Sequence, residues 1–298
     1  MHHSLRIAHI SDLHFSKVSF SPLQFFSKRW VGNVNLCFYR KAVYIPERLH
    51  NLVELFKSME ISIIIISGDL STTTLDAELI AAKKFVDTFI KEGFQVFVIP
   101  GNHDQYTYSD FKQKKFYNYF PSYFSEKSPI ETMFSLRDDG VTASRISDTW
   151  WIVGLDTTLA TSLFSAAGCF SPKIEKNLEI LLQQIPSTDQ IILINHFPLF
   201  PNDKPRNTLE RAHELQRLVL KYPNIIFYIH GHTHRNCVAD LRLNGYPIIL
   251  DSGSTSHQEI GSWNFLEINP HHGQVQIYQK DIVFSPSWKM IKEVSFKW

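Results

Sequence analysis

Five short motifs along the chain carry side chains able to hold divalent metals. They are Asp12-Leu13-His14, Gly68-Asp69, Gly101-Asn102-His103-Asp104, Asn195-His196 and Gly231-His232-Thr233-His234. Asp, His and Asn, with no Cys among them, suit borderline-hard divalent ions rather than a thiolate zinc site. The potential ligands outnumber what one ion takes. A pair of ions sharing a carboxylate uses them economically. Two ions ~3.5–4 Å apart serve phosphoryl chemistry by activating water and by holding the attacking and leaving oxygens. Taken singly each motif is ordinary, since Gly-Asp after a strand is common turn chemistry. In this order, and each at a strand end, they argue for a single site.

The hydrophobic pattern supplies those strands. Leu5 to Ile10 reads as a strand, and Asp12 and His14 come directly after it. Ile61 to Ile66 is a continuous apolar run, as in a strand buried on both faces, and it leads to Asp69. Gln95 to Ile99 leads to Asn102 and His103, Ile191 to Ile194 to His196, and Ile225 to Ile229 to His232 and His234. Trp150 to Leu155 and Ile248 to Leu250 are further strands. Helical spacing begins at Pro46 and recurs over Asp76 to Lys91, Pro172 to Gln184 and Thr208 to Lys221. This alternation predicts an α/β fold with a partly parallel sheet, and such sheets bind ligands outside the carboxyl ends of their strands. After Ser252 the helices stop. Trp263 to Ile268 and Gln274 to Tyr278 are expected to form a second, more antiparallel layer. With no repeat and no linker rich in Gly, Pro or Ser, residues 1–298 read as one domain.

Of the 298 residues, 44% are hydrophobic and 20% charged, which excludes a disordered or low-complexity chain. Lys plus Arg is 30 and Asp plus Glu is 29, so the net charge is +1 and no global field points to a stable nucleic-acid partner. Cys37, Cys169 and Cys237 are too scattered for a disulfide framework. They are expected to be buried small hydrophobes, and a reducing cytoplasm is the expected location. No apolar run approaches the roughly 20 residues of a spanning helix, and the N-terminal residues do not read as a secretory signal.

As an ordered set spanning residues 12 to 234, the motifs resemble those of the calcineurin-like metallophosphoesterase superfamily. The resemblance implies a four-layer α-β-β-α sandwich of two mixed sheets flanked by helices. It implies a first metal held by Asp12, His14 and His234, a second held by Asn102, His196 and His232, and Asp69 bridging the two. Two divalent ions are implied, with Mn2+ expected and Fe, Zn or Co also suited to these ligands. His103 would face the phosphate, stabilising charge in the transition state or protonating the leaving oxygen, and Asp104 would orient His103. The implied reaction is cleavage of a phosphodiester or pyrophosphate bond by metal-activated hydroxide, with no Ser or Cys nucleophile. His9 and His230, in strands just before ligand loops, are expected to pack beneath the site, and His257 to lie near its rim.

Two stretches read as insertions. The first, 15–44, follows the first ligand loop. It carries eight aromatics, from Phe15 to Tyr44, together with Lys17, Lys28, Arg29, Arg40 and Lys41 and no acidic residue. The second, 106–124, follows the His103 loop and is dense in Tyr, Phe and Lys. Residues 288–298 have a similar flavour. Packed core with snorkelling cations is one reading. A lid, apolar within and basic at its edge, is another, and it suits an amphiphilic phosphate ester or an anionic membrane face. A third is single-stranded nucleic acid stacked on the aromatics, which lacks the long basic track such binding uses. The lid reading makes Arg29, Trp30, Arg40 and Lys41 candidate substrate contacts. It points to a lipid-linked nucleotide, as in the UDP-2,3-diacylglucosamine hydrolases of lipid A synthesis, with peripheral contact at the inner membrane face. A soluble cyclic-nucleotide phosphodiesterase is the alternative enzyme. A non-catalytic scaffold of the same fold is the alternative outside enzymes, and the complete ligand set argues against it.

Overall fold

Two six-stranded sheets face each other through the molecule. The structure is a computed structural model, and it describes residues 4–17, 43–44, 46–121, 124, 127–162, 165–201, 205–280 and 287–298. The first sheet contains β1 (Leu5–Ile10), β2 (Ile63–Ile66), β3 (Gln95–Val98), β12 (Ser262–Ile268), β13 (His272–Lys280) and β14 (Trp288–Lys297). Its spatial order is β14-β13-β12-β1-β2-β3. The second contains β4 (Val141–Arg145), β5 (Trp150–Leu155), β7 (Gln190–Ile194), β9 (Ile225–His230), β10 (Asn236–Asp240) and β11 (Ile248–Ser252), in the order β10-β11-β9-β7-β5-β4. A small parallel pair, β6 (Gly168–Cys169) and β8 (Leu209–Glu210), stands beside them. The helices are α1 (Leu52–Ser58), α2 (Asp76–Lys91), α3 (Tyr108–Lys112), α4 (Phe116–Tyr119), α5 (Leu136–Asp139), α6 (Pro172–Gln184) and α7 (Ala212–Lys221).

Strand periodicity builds the layers. In β5, Trp150 and Ile152 face the first sheet, while Trp151, Val153 and Leu155 face α6 and α7. Ile192 and Ile194 against Ile191 and Leu193 divide in the same way in β7. Alternate side chains leave opposite faces of a strand, so a strand covered on both sides must be apolar throughout. The four isoleucines of β2 are all buried. On the outside, α2 turns Leu79, Ala82, Val86 and Phe89 toward the first sheet, at spacings of three and four. In α6, Ile174, Leu178, Leu181 and Leu182 do the same for the second sheet. The layers are therefore helix, sheet, sheet, helix, as the resemblance implied.

Several expectations change in detail. The strands after Ser252 form no layer of their own. β12 pairs antiparallel with β1 from Leu5↔Ile268 to His9↔Asn264, and β13 and β14 extend that same sheet. The helix expected from Thr208 begins at Ala212. Leu209–Glu210 pairs instead with β6, and Arg211 takes a left-handed φ of 59° that separates strand from helix. The helix expected from Pro46 opens as a 3-10 turn, Pro46–Asn51, before α1. Cys169 is only partly buried and Cys237 is exposed, and both are free. Cys37 lies outside the described residues.

Of the two stretches read as insertions, residues 18–42 lie outside the described residues, and with them Arg29, Trp30, Arg40 and Lys41. In 106–124, Phe116, Tyr117, Phe120 and Phe124 are buried in the main core, whereas Tyr108 is exposed. Fully burying such a side chain contributes about 1.5–3 kcal/mol. Among the described residues, no helix is long and apolar enough to cross a membrane.

Candidate metal centre

Parallel strands from both sheets end at one seam. β1, β2 and β3 run parallel in the first sheet, and β5, β7, β9 and β11 in the second. Each ligand motif leaves the carboxyl end of one of these strands. Backbone bonds stitch the turns together: Asp12 N–H donates to Gly68 O (3.0 Å), His14 N–H to Asp69 O (3.0 Å), and Gly231 N–H to His196 O (3.1 Å). Contacts also cross between the sheets, among them His232 N–H to Asp12 Oδ2 at 3.0 Å.

The turns are sharp. Asp12, His14, Asp69, His232 and His234 all have positive φ, between 46° and 70°. L-residues adopt this conformation at a cost of about 1–2 kcal/mol each, and such strain clusters at functional sites. Neighbouring glycines make the close approach possible. A Cβ on Gly101 would sit 2.2 Å from Asp69 Oδ1, and one on Gly231 would sit 2.0 Å from Ser11 Oγ and 2.4 Å from Asp12 Oδ2. The Gly of Gly-Asn-His-Asp and of Gly-His-Thr-His is thus the space into which a carboxylate-bearing loop fits.

The side chains form two sets. In the first, one ligand atom each from Asp12, His14, Asp69 and His234 lies within 4.8 Å of the others. His234 Nε2 is 3.0 Å from Asp12 Oδ1 and 3.2 Å from His14 Nε2. In the second set, Asn102 Oδ1 is 2.9 Å from His232 Nδ1 and 3.2 Å from His196 Nε2. Asp69 belongs to both, its Oδ2 lying 3.4 Å from His196 Nε2 and 3.9 Å from His14 Nε2. Donor atoms about 3–4 Å apart within each set fit a small divalent ion at about 2 Å from each. Asp12 Oδ1 is buried without a hydrogen-bond partner, which an ion in this set would satisfy.

Remote partners aim the rings. His196 Nδ1 donates to Ser67 O (2.8 Å), and His232 Nε2 donates to Asn207 O (2.8 Å). Tyr44 Oη lies 3.2 Å from His234 Nδ1, and its ring packs 4.4 Å from that of His14. His103 Nδ1 donates to Thr72 O (2.7 Å), its N–H donates to Asp69 Oδ1 (2.8 Å), and Tyr106 stacks on its ring at 5.4 Å. Asp104 does something other than the expected orientation of His103. It accepts the N–H groups of Leu70, Ser71 and Gly101 and the Ser71 hydroxyl, so it fastens the β2 and β3 loops to each other. His9 and His230 are buried beneath the site, and His257 stands 6.0 Å from Tyr44 at its edge. The orienting roles of Tyr44, Thr72 and Asn207 are not visible in the sequence. Most of these act through backbone carbonyls, which leave no signature in residue type.

The electrostatics suit cation binding. Burial alone would raise Asp69, but His196, His103 and His14 hold its carboxyl well below the usual range. Burial would lower His196, yet Asp69 and Asp12 lift it to about 9. Metal binding at such a position would have to displace the His196 proton. Burial, then His196, pushes His232 down to about 4, so its imidazole is neutral near neutral pH, the form able to ligate a metal. Burial likewise holds His14 well below its ordinary value.

A family model described as calcineurin-like phosphoesterase matches residues 5–236. The chain belongs to the calcineurin-like phosphoesterase family. Membership makes it a hydrolase acting on phosphoester bonds. Solved structures with the same fold include a dimetal phosphatase from Danio rerio, with 10% identity, 98% of each chain covered and a TM-score of 0.64. Another is the purple acid phosphatase PPD1 from yellow lupin, with 13% identity over 100% of this chain and 54% of that one, and a TM-score of 0.57. No curated protein matches the chain.

Proposed function

We propose that this phosphoesterase is a dinuclear enzyme that cleaves a phosphodiester or pyrophosphate bond, with Asp12, His14, Asp69 and His234 around one ion and Asp69, Asn102, His196 and His232 around the other. The observation that carries this reading is the single carboxylate oxygen of Asp69 that faces both ligand sets, 3.4 Å from His196 Nε2 and 3.9 Å from His14 Nε2. When bound, two divalent ions supply an activated water and neutralise the phosphate oxygens. The side chains do the remaining work. Asp69 and Asn102 fix the spacing of the two sets. His103 has its Nδ1–H committed to Thr72 O, so in its imidazolium form the Nε2–H is the proton given to the leaving oxygen. Asp104 keeps the loop bearing His103 in register with the loop bearing Asp69. Mn2+ is the proposed metal, because the ligands are oxygen and imidazole without thiolate.

For the substrate we propose a lipid-linked nucleotide such as UDP-2,3-diacylglucosamine, reached from the cytoplasm at a membrane face. The support is the composition of residues 15–44, aromatic and basic with no acidic residue. Both ends of that stretch meet the site: Phe15 bridges to Ser71, and Tyr44 packs on His14. The test is Mn2+-dependent hydrolysis of a UDP-linked diacylated sugar, a cyclic nucleotide and bis-p-nitrophenyl phosphate, side by side. Preference for the first is expected, and neutralising Lys28, Arg29, Arg40 and Lys41 should reduce it more than bis-p-nitrophenyl phosphate turnover. Preference for the cyclic nucleotide, or an equal loss on both substrates, overturns the lipid assignment.

A further inference from the structure

A cavity of about 350 Å³ opens beside the metal loops, bounded by α3, α5, the start of α6 and the residues after β5. That volume lies at the lower end of the range for small-molecule sites. Its wall includes Gln105, two residues past His103, so the two Cα atoms are at most about 7.6 Å apart. Gln105 Nε2 donates to Asp156 Oδ2 (3.0 Å) and to Thr158 Oγ1 (2.8 Å). The adjacent Thr157 hydroxyl donates to Asn195 Oδ1 (2.7 Å), next to His196. The cavity floor is thereby tied to ligand loops of both sheets.

Its chemistry is that of a ring-binding pocket. Phe111, Leu136, Leu159 and Ile174 give apolar walls. Gln105 is buried, and both its amide hydrogens are committed to Asp156 and Thr158. The amide is therefore fixed in orientation, and its Oε1 accepts no hydrogen bond among the described residues. Asp156 is an acceptor already engaged by Gln105, Tyr117 and Thr158, so its charge is offset by donors. At the mouth, Lys114 and Lys173 pair with Asp138 and Asp139, but the side chains of Lys112 and Arg137 make no ion pair among the described residues. An anion is thus favoured at the rim, a flat apolar ring inside, and an N–H donor against Gln105.

We infer that this cavity receives the nucleoside part of the substrate, with the base against Phe111, Leu136 and Ile174, its N–H donating to Gln105 Oε1, and Lys112 and Arg137 meeting an anionic group. The inference rests on the phosphohydrolase reading, because it requires a nucleotide whose phosphate reaches the ligand loops. Nothing in the ligand motifs themselves selects a base.

The test uses the full chain loaded with Mn2+, with UMP and ribose 5-phosphate as calorimetric probes. UMP should bind at least tenfold more tightly than ribose 5-phosphate, which lacks the base. Ile174→Trp, which fills the cavity, should abolish that difference. The exposed pair Lys112→Ala/Arg137→Ala, which leaves the core untouched, should weaken UMP several-fold. Turnover of bis-p-nitrophenyl phosphate, followed in parallel, reports the metal site separately. If that substrate is hydrolysed and UMP binds no better than ribose 5-phosphate, the cavity assignment falls and the phosphohydrolase reading stands. If it is not hydrolysed while the UMP preference disappears in Ile174→Trp, the catalytic reading falls and the cavity remains a nucleotide site. Equal loss of UMP binding and turnover in Lys112→Ala/Arg137→Ala also overturns the cavity assignment.

Discussion

Tyr44 tests the site at its finest grain. His234 turns Nε2 toward Asp12 and His14, so its Nδ1 must carry the proton and donate to Tyr44 Oη. That hydrogen bond fixes the tautomer and the plane of the ring. Tyr44→Phe keeps the ring that packs on His14 and removes only the acceptor. The expected result is a fall of about 10–100-fold in affinity for one of two metals, the usual effect of losing an orienting partner. The unfolding midpoint of the metal-free variant should stay near wild type. Unchanged metal affinity in a chelator competition would show that Tyr44 merely packs. His103 makes the opposite prediction. It is held by Thr72 and Asp69 but belongs to neither ligand set, so His103→Ala should retain full metal content. Its turnover should fall by roughly 10²–10⁴, the range for loss of a general acid. Full turnover in that variant would remove His103 from the proton-transfer role.

At the scale of elements, the strand-to-loop turns decide whether the ligands meet. Gly101→Ala places a Cβ 2.2 Å from Asp69 Oδ1, a distance that no packed carbon tolerates, so the carboxylate must leave its position. Because Asp69 serves both sets, the variant should lose both ions together rather than one. Metal analysis after dialysis reads this directly, and retention of two ions per chain would contradict the bridging geometry. The turns also mark the limit of what the sequence reveals. The apolar runs and the motifs behind them were legible, and α2 and α6 begin and end where the periodicity sets them. The break at Arg211 was not, because a helical pattern continues across Leu209 and Glu210, and only pairing with β6 decides against it. Residue type alone makes Asp104 the expected partner of His103, because carboxylates commonly orient catalytic histidines. Its oxygens are filled instead by backbone donors from Leu70, Ser71 and Gly101, a choice made by loop geometry rather than residue type.

Over the whole molecule, the site depends on two sheets holding their carboxyl ends together. The chain closes this arrangement late: β12 returns to pair with β1 after the second sheet has been laid down. Local patterning could show that β12 is a strand but could not show which edge it joins, because that depends on a partner more than 250 residues away. His9 sits at this join, with Nε2 2.8 Å from Ser67 Oγ and Nδ1 3.5 Å from Asn264 Nδ2, so three neighbouring strands or their ends meet on one imidazole. Burial first, then His230, lowers its pKa to about 3, with Asp12 opposing. In the unfolded chain it titrates near 6.5. Unfolding therefore takes up a proton between those values. The stabilisation is complete above about pH 6.5 and is lost as pH falls toward 3, at up to about 1.4 kcal/mol per pH unit for one proton. His9→Gln removes this titration. Compared by denaturant unfolding of metal-free protein between pH 7 and 4, the variant should be less stable at pH 7 but lose stability less steeply, its slope differing by about one proton. Parallel slopes would mean that His9 is already protonated in the fold, and that acid weakens the pairing of β12 with β1 through other groups.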